Sequence, residues 1–427
     1  MLLWVGLVNL SIIFFIIFFI IRNISQEPLK PYFLPALTLK FSAGIALGLI
    51  YKYYYGGGDT FNMFHDANQL AELASNNPHR YISLLFNPEL PPGLADTLIY
   101  SNQDRALLAS KILSVFSLLT SNNYWLAGMY WSLFSFVGMW YLANVLSKKF
   151  PQNSMPAIIG FLFFPSVVFW SSGILKESLI MGALCFLVAF FIQSTSDVKR
   201  ISFLKIVLSV IFLFLLWKLK YYYLAVLLPV LAATFFTLLA IRKYEKIKKS
   251  SGFIILIWLA GFALILILST TLYPTLSFNV VLHYLVQTHD TIFVLSKPEN
   301  LIYFYDLRPD LSSIIINFPL ALFSGLYRPT LWDATTFFQW LAAIENFLIL
   351  ICSLWALKNF KKINDPQHLL LLDALIIYII ILAAFMAFSS PNFGTLMRYK
   401  IGYLPFLVYL VLSNNPIFKK LSPTGRS

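Results

Sequence analysis

Charge is scarce in this chain: 11% of residues are Asp, Glu, Lys or Arg, against 59% hydrophobic. Spread over 427 residues, that balance excludes a string of water-soluble domains. Cysteine is nearly absent. Cys185 and Cys352 are the only two, both inside apolar runs. A disulfide framework or a cysteine-rich metal site therefore has no basis, and both thiols read as small buried apolar residues. No internal repeat or low-complexity tract is evident. Acids are scarcer than bases, 18 against 31. The net charge of +13 does not point to nucleic acid, because the bases cluster between apolar runs as membrane topology requires. The N-terminus lacks the basic region and small-residue cleavage site of a signal peptide. Residues 2–21 carry no charge and Arg22 follows at once, which reads as a first span starting outside and ending in the cytoplasm.

What is present is apolar length. A hydrocarbon core of about 30 Å takes about 20 helical residues, and backbone groups in lipid must be satisfied within the segment. The expected fold class is all-α, a polytopic transmembrane helix bundle forming one integral membrane domain over residues 1–427. Spans are expected at 2–22, 38–55, 122–146, 155–173, 177–194, 201–218, 221–241, 252–273, 336–357, 368–388 and 399–414. These about eleven crossings place the N-terminus outside and the C-terminus in the cytoplasm. Charge supports the topology. The predicted cytoplasmic segments hold most of the bases, from Arg22, Lys30 and Lys40 through Lys199, Arg200, Lys246, Lys248, Lys249, Lys361 and Lys362 to Arg426. Of the acids they hold only Glu27, Asp197, Glu245, Asp365 and Asp373.

Two large outer loops remain, 56–121 and 274–335. In the first, residues 105–120 show apolar spacing of a helix with Arg105 and Lys111 as polar points, and read as a helix lying in the membrane interface. In the second, residues 312–327 are apolar but short and contain Pro319 and Gly325. Counted as a span they would put Lys358, Lys361 and Lys362 outside, so a re-entrant or interfacial segment is expected.

The rare charges at the predicted outer face are the candidate functional residues, because charge at a membrane edge is costly. Gly56-Gly57-Gly58 allows a sharp turn as the chain leaves the membrane. Asp59, Asn62, Asp66 and Gln69 then follow at helical spacing as one polar stripe, with His65 beside it. The simple reading of Asp59 is a helix cap. The chemical reading is a carboxylate that takes a proton from an acceptor hydroxyl. A divalent cation held by Asp59 and Asp66 is compatible with the pattern, although two carboxylates specify a metal weakly.

Pro165 is expected to kink one helix, and Ser171-Ser172-Gly173 to form an outer turn into the next. Lys176 then stands near a helix start, where a cation calls for an anionic partner; the plainer reading is a Lys176–Glu177 pair. Trp217-Lys218-Leu219-Lys220-Tyr221-Tyr222-Tyr223 presents two lysines and three tyrosines, suited to phosphate and sugar or simply to an aromatic belt. Arg328 and the stretch Asn392-Phe-Gly-Thr-Leu-Met-Arg398-Tyr-Lys400 add outer bases; an Arg beside a Gly-Thr turn suits a bidentate phosphate clamp, and the plainer reading of Arg398 and Lys400 is membrane anchoring. Glu345 is the clearest acid within a span and is expected to face the bundle interior or a partner such as Arg328.

The acidic stretch Gly58-Asp59 to Asp66-Ala67, the helix 105–120 and the many-span body resemble the GT-C class of polytopic bacterial glycosyltransferases, which use polyprenyl-linked sugars. The resemblance implies catalysis by Asp59, with Asp66 second, at the outer face of the bacterial inner membrane. It implies a polyprenyl-phosphate-linked sugar as donor and a glycan, lipid or protein as acceptor. His65, Lys176, Lys218, Lys220, Arg328, Glu345, Arg398 and Lys400 are the candidates for phosphate and sugar binding. The acidic loop here follows the second apolar segment, where that class has it after the first. Lys218-Leu-Lys220-Tyr and Asn392 to Tyr399 look more like Wzy-type polysaccharide polymerases, in which outer arginines handle a diphosphate-linked chain. A non-enzymatic lipid or glycolipid transporter is the third expectation, and it calls for charges along a path through the bilayer midplane.

Overall fold

The computed structural model describes the chain apart from residues 1, 25–26, 88–89, 91–92, 197–201, 245–250, 274–276, 360–364, 414 and 424–427. Asp197, Lys199, Arg200, Glu245, Lys246, Lys248, Lys249, Lys361, Lys362 and Arg426, assigned above to cytoplasmic segments, lie outside the described residues.

Apolar length becomes helix. Among the described residues the only β pairing is an isolated bridge between Leu301 and Asn392. Eight helices there are long and apolar enough to cross a membrane, and the pair Phe393–Gly402 and Leu404–Ser413, bent by 67°, makes a ninth candidate. The protein is an all-helical, multi-pass membrane protein by this measure. Contacts divide it into two compact units, one of Met1–Gln193, Lys199–Tyr221 and Ser422–Ser427, the other of Ser194–Val198 and Tyr222–Leu421.

The first unit opens with α1 (Leu2–Asn23) and α2 (Lys30–Tyr53), followed by α3 (Asp59–Asn76), α4 (Pro78–Phe86), α5 (Asp104–Thr120) and α6 (Tyr124–Lys149). Asn123 caps α6 by accepting from the Trp125 and Leu126 amides. α2 starts at Lys30, ahead of the expected residue 38, and carries Pro35 inside it. Lys40 consequently falls in the middle of a helix and is 2% exposed, which corrects its assignment to a cytoplasmic segment. The expected span 155–173 is broken into α7 (Ser154–Ile158), a π-helical turn (Ile159–Phe163) and α8 (Pro165–Trp170). Pro165 opens α8, where a missing N–H costs nothing, and Phe164 before it is extended. The proline thus begins a helix; it does not kink a continuous one. α9 (Lys176–Ser196) crosses α6 with Gly138 on Gly182, so close that a methyl on Gly138 would overlap the Gly182 backbone.

α10 (Phe203–Lys243) is a 41-residue run. Straight, it would measure about 62 Å, roughly twice the hydrocarbon thickness. Lys220 interrupts it with φ −149° and ψ 72°, at the boundary expected between the spans 201–218 and 221–241.

The second unit takes α10 onward to α11 (Ser251–Leu272), α12 (Phe278–Val294), α13 (Leu311–Tyr327), α14 (Phe337–Lys358), α15 (Pro366–Ser389), α16 (Phe393–Tyr399) and α17 (Leu404–Ser413). α13 is an unbroken helix despite Pro319 and lies along α15, with Gly325 against the Ala383 backbone. Leu285 and Val286 of α12 join Ala321, Ala384, Ala387 and Phe388 in one apolar cluster. α12 was not foreseen inside the loop 274–335. The expected last span, 399–414, is a 3₁₀ turn over Lys400–Gly402 followed by α17.

Candidate functional site

The glycine turn is real and specific. Gly56, Gly57 and Gly58 have φ of +70°, +127° and +105°, which an L side chain adopts only with strain. The Gly57 amide donates to the Tyr51 carbonyl at 2.8 Å, folding the chain back over the end of α2. Gly58 is the cap of α3 and Asp59 its first residue, so Asp59 does not serve as the expected cap. A carboxylate there still complements the helix dipole.

The stripe Asp59–Asn62–Asp66 faces inward, onto residues 98–100. Asp66 is fully buried and its two oxygens accept from the Ile99 amide at 2.8 Å and the Tyr100 amide at 2.9 Å. The loop is thereby fixed so that the Tyr100 hydroxyl donates to Asp59 Oδ1 at 3.2 Å, with Asn62 as a second partner of the phenol. Burial and then the Asp59 carboxylate push the Tyr100 phenol up to about 12. His65 is exposed, its ring 3.3 Å from the Asp66 carboxylate. α3 is held in place by Met63, Ala67, Leu70 and Ala71 at helical spacing on its buried face. It packs on α5, whose Ala106, Ala109, Ser110 and Ser114 allow close approach. Lys111, expected as a polar point at the interface, is buried and donates to the Asn87 carbonyl at 2.7 Å. The Arg105 guanidinium lies 4.9 Å over the Tyr221 ring.

A second polar group lies deeper in the same unit. Lys40 stands ten residues into α2, about 15 Å along the helix from Lys30. Its ammonium donates to Ser171 Oγ at 2.5 Å and approaches the Met139 sulfur at 3.5 Å. Ser171, expected at an outer turn, therefore meets α2 at mid-helix. Ser132 Oγ accepts from the Gly173 amide at 2.8 Å, and Gly173 packs on Gly44. Lys220 and Glu177, 3% and 1% exposed, form an ion pair at 2.9 Å. Glu177 thus reaches Lys220, a partner the sequence did not single out. Lys176 is half-buried and Lys218 is exposed.

The second unit holds the remaining candidates. Arg328 grips Asp333 through two bonds, Nε to Oδ2 at 2.9 Å and Nη2 to Oδ1 at 2.5 Å, and lies 5.0 Å over the Phe393 ring. Of the two expectations for Glu345, Arg328 as partner is corrected, since Arg328 holds Asp333 in the loop right after it. Burial would raise the Asp333 carboxyl, but the bonds from Arg328 and Thr330 outweigh it and hold it below the usual carboxylate range. Lys400 is 2% exposed and donates to the Arg328 carbonyl at 2.7 Å and to the Leu326 carbonyl and Asn346 Oδ1, both at 3.3 Å. Asn346 in turn donates to the Pro329 carbonyl at 3.0 Å. Lys400 is thus a cation on the orphan carbonyls at the end of α13. The Glu345 carboxylate acts on it electrostatically. Arg398 is half-buried and stacks at 5.3 Å on Tyr399.

The candidates therefore fall into two groups. Asp59, His65, Asp66, Lys176, Lys218 and Lys220 belong to the first unit, and Arg328, Glu345, Arg398 and Lys400 to the second. Tyr100, Asp333 and Asn346 were missed: Tyr100 and Asp333 lie in loops, which carry no periodic signal, and a single asparagine inside the apolar α14 does not announce its partner. Among the described residues, no three His, Cys, Asp or Glu side chains gather as a metal site. No family model, curated protein or solved structure matches the chain.

Proposed function

We propose that the protein is a membrane glycosyltransferase that moves a sugar from a polyprenyl-phosphate carrier to an acceptor glycan, lipid or protein at the outer face of a bacterial inner membrane. The observation that carries this reading is the Asp59 carboxylate, set at the head of a rigid helix just past the end of α2 and oriented by the Tyr100 hydroxyl. In the step envisaged, the acceptor oxygen attacks the anomeric carbon and its proton passes to Asp59. The bond from that carbon to the phosphate oxygen breaks, and the electron pair leaves on the phosphate. Lys176, Lys218 and Arg105 are the cations of the same unit proposed to receive that charge. Asp66 holds the loop in this scheme. Eleven crossings follow if α10 counts twice at Lys220 and the broken segments 154–170 and 393–413 count once each, with the N-terminus outside and the C-terminus in the cytoplasm.

The test is the glycan and lipid-linked intermediate profile of a deletion strain complemented with wild type or Asp59→Asn. Loss of a general base removes about 10²–10⁴ of rate, so Asp59→Asn is expected to leave the glycan short of one sugar and the donor accumulated. Full glycan output from Asp59→Asn would refute the assignment. Single repeat units without long chains, together with loss of output in Arg398→Ala, would favour a repeat-unit polymerase.

A second reading, transport of a lipid or glycolipid, is favoured by Lys40. It buries an ionisable side chain at the middle of α2, where an outer-face enzyme does not require it. An unchanged covalent glycan structure with lipid-linked material retained on the cytoplasmic side would support it.

A further inference from the structure

In the first unit α4 and α5 carry an apolar strip uncovered by protein. α4 buries Tyr81 and Leu84 in a cluster with Leu70, Leu98 and Leu107. On its opposite face Ile82 and Phe86, one turn apart, are 56% and 86% exposed. On α5, Val115, Leu118 and Leu119 also point outward. Two bonds hold these patches side by side. The Lys111 ammonium, one turn before Val115, donates to the carbonyl of Asn87, the residue after Phe86. The Tyr81 hydroxyl lies 2.8 Å from the Ser114 hydroxyl.

The far end of the strip is tied to a membrane span. Asn9 of α1 donates to the Leu119 carbonyl at 3.0 Å and accepts from the Tyr130 hydroxyl of α6 at 2.8 Å. Asn9 stands seven residues into α1, about 10 Å from its start. Around it Leu7, Val8, Leu10 and Phe14 are exposed, on a helix whose first charge is Arg22. The end of α5 is therefore bonded to an exposed, uncharged stretch of a helix long enough to cross a membrane. An apolar strip that continues such a face is covered by the same lipid.

We infer that α4 and the outward face of α5 are embedded in the leaflet that holds the N-terminal half of α1, with Ile82 and Phe86 entering the boundary between headgroups and acyl chains. His79 and Arg80, both exposed at the start of α4, are placed to meet the headgroups. The consequence is positional. Tyr81 and Leu84 pack on Leu70 of α3 and on Leu98, so anchoring α4 holds the Asp59–Tyr100 group close to the bilayer surface. The inference stands whether or not that group is catalytic.

Spin labels test it without any assay of activity. The full chain, with Cys185 and Cys352 replaced by alanine, is reconstituted in phosphatidylcholine–phosphatidylglycerol vesicles and labelled at Phe86→Cys or Ile82→Cys. Phe14→Cys provides the lipid-facing reference and Glu72→Cys the water-facing one; both positions are exposed. Relaxation by oxygen, which concentrates in lipid, is compared with relaxation by a water-soluble nickel chelate. The expected result is an oxygen-to-nickel ratio at Phe86 and Ile82 on the side of Phe14 and several-fold above Glu72. A ratio equal to that of Glu72 at both sites would place α4 in water and overturn the inference. Low access of both reagents would show a protein surface covering α4 and would overturn it equally. Two labelling sites guard against failure of one variant to fold.

Discussion

Asp66→Asn is the perturbation that best separates holding a loop from doing chemistry. The Asp66 carboxylate is fully buried and its two oxygens accept from consecutive backbone amides, Ile99 and Tyr100. Hydrogen bonds to a charged group contribute about 1.5–3 kcal/mol each. Asparagine keeps one acceptor and turns an N–H toward the other amide. The loss is then one charge-assisted bond, plus an amide left without an acceptor, about 3 kcal/mol together. Local opening of residues 98–103 should become easier by that amount, and at about 1.4 kcal/mol per tenfold the Ile99 and Tyr100 amides should exchange roughly 10²-fold faster. Hydrogen exchange read by mass spectrometry on peptides from this loop, against peptides from α6 and α9, is the assay. Faster exchange confined to the loop is expected. Unchanged protection of 98–103 would refute the argument, and uniform loss of protection across α6 and α9 would show that Asp66 supports the whole unit and not one loop. Glycan output should fall less in Asp66→Asn than in Asp59→Asn, because one loosens the positioning of a carboxylate and the other removes it.

Three further outcomes are expected. Lys220→Met and Glu177→Leu each leave a buried charge without its counterpart and should cost about 3–5 kcal/mol, while the double variant recovers most of the loss; thermal unfolding of the four proteins in one detergent gives the coupling, and additive losses would mean the pair is not coupled. Asp333 titrates below its unfolded value, so its bonds to Arg328 and Thr330 stabilise the fold above about pH 4 and are lost as pH falls through the lower folded value. The difference in Tm between wild type and Asp333→Asn should therefore be present at neutral pH and vanish in acid; a gap that persists in acid would contradict the assignment. Gly325→Ala should lower Tm clearly, since its methyl meets the Ala383 backbone of α15, whereas Gly252→Ala, with open space around it, should not.

Much of the fold was legible before any coordinates. Long uncharged runs can only be helices in lipid, so α1, α6, α9, α11, α14 and α15 appear close to where hydropathy placed them. Hydropathy failed where a break is made by backbone and not by composition. Residues 154–170 are as apolar as a span, but α7 widens into a π-helical turn and Phe164, extended before Pro165, separates that turn from α8. α12 was missed because its mixed polar and apolar residues read as loop until α15 gave its apolar face a partner. The polar stripe of α3 was visible from spacing, but its direction was not. A helix period says which residues share a face and leaves open what that face meets.

The amino-acid sequence by itself determined the class: an all-helical, multi-pass chain, few charges, and a glycine turn that ends α2 and starts α3. These follow from transfer free energy and local backbone freedom, which are properties of each segment alone. Only the tertiary structure decided how the charges are used. Asp66 grips a loop, Lys220 pairs with Glu177, Arg328 with Asp333, and Lys400 closes the end of α13. Asp59 meets a tyrosine forty-one residues away. A buried charge takes whichever partner the packing brings within about 3 Å, and that distance is set by chain segments far apart in sequence.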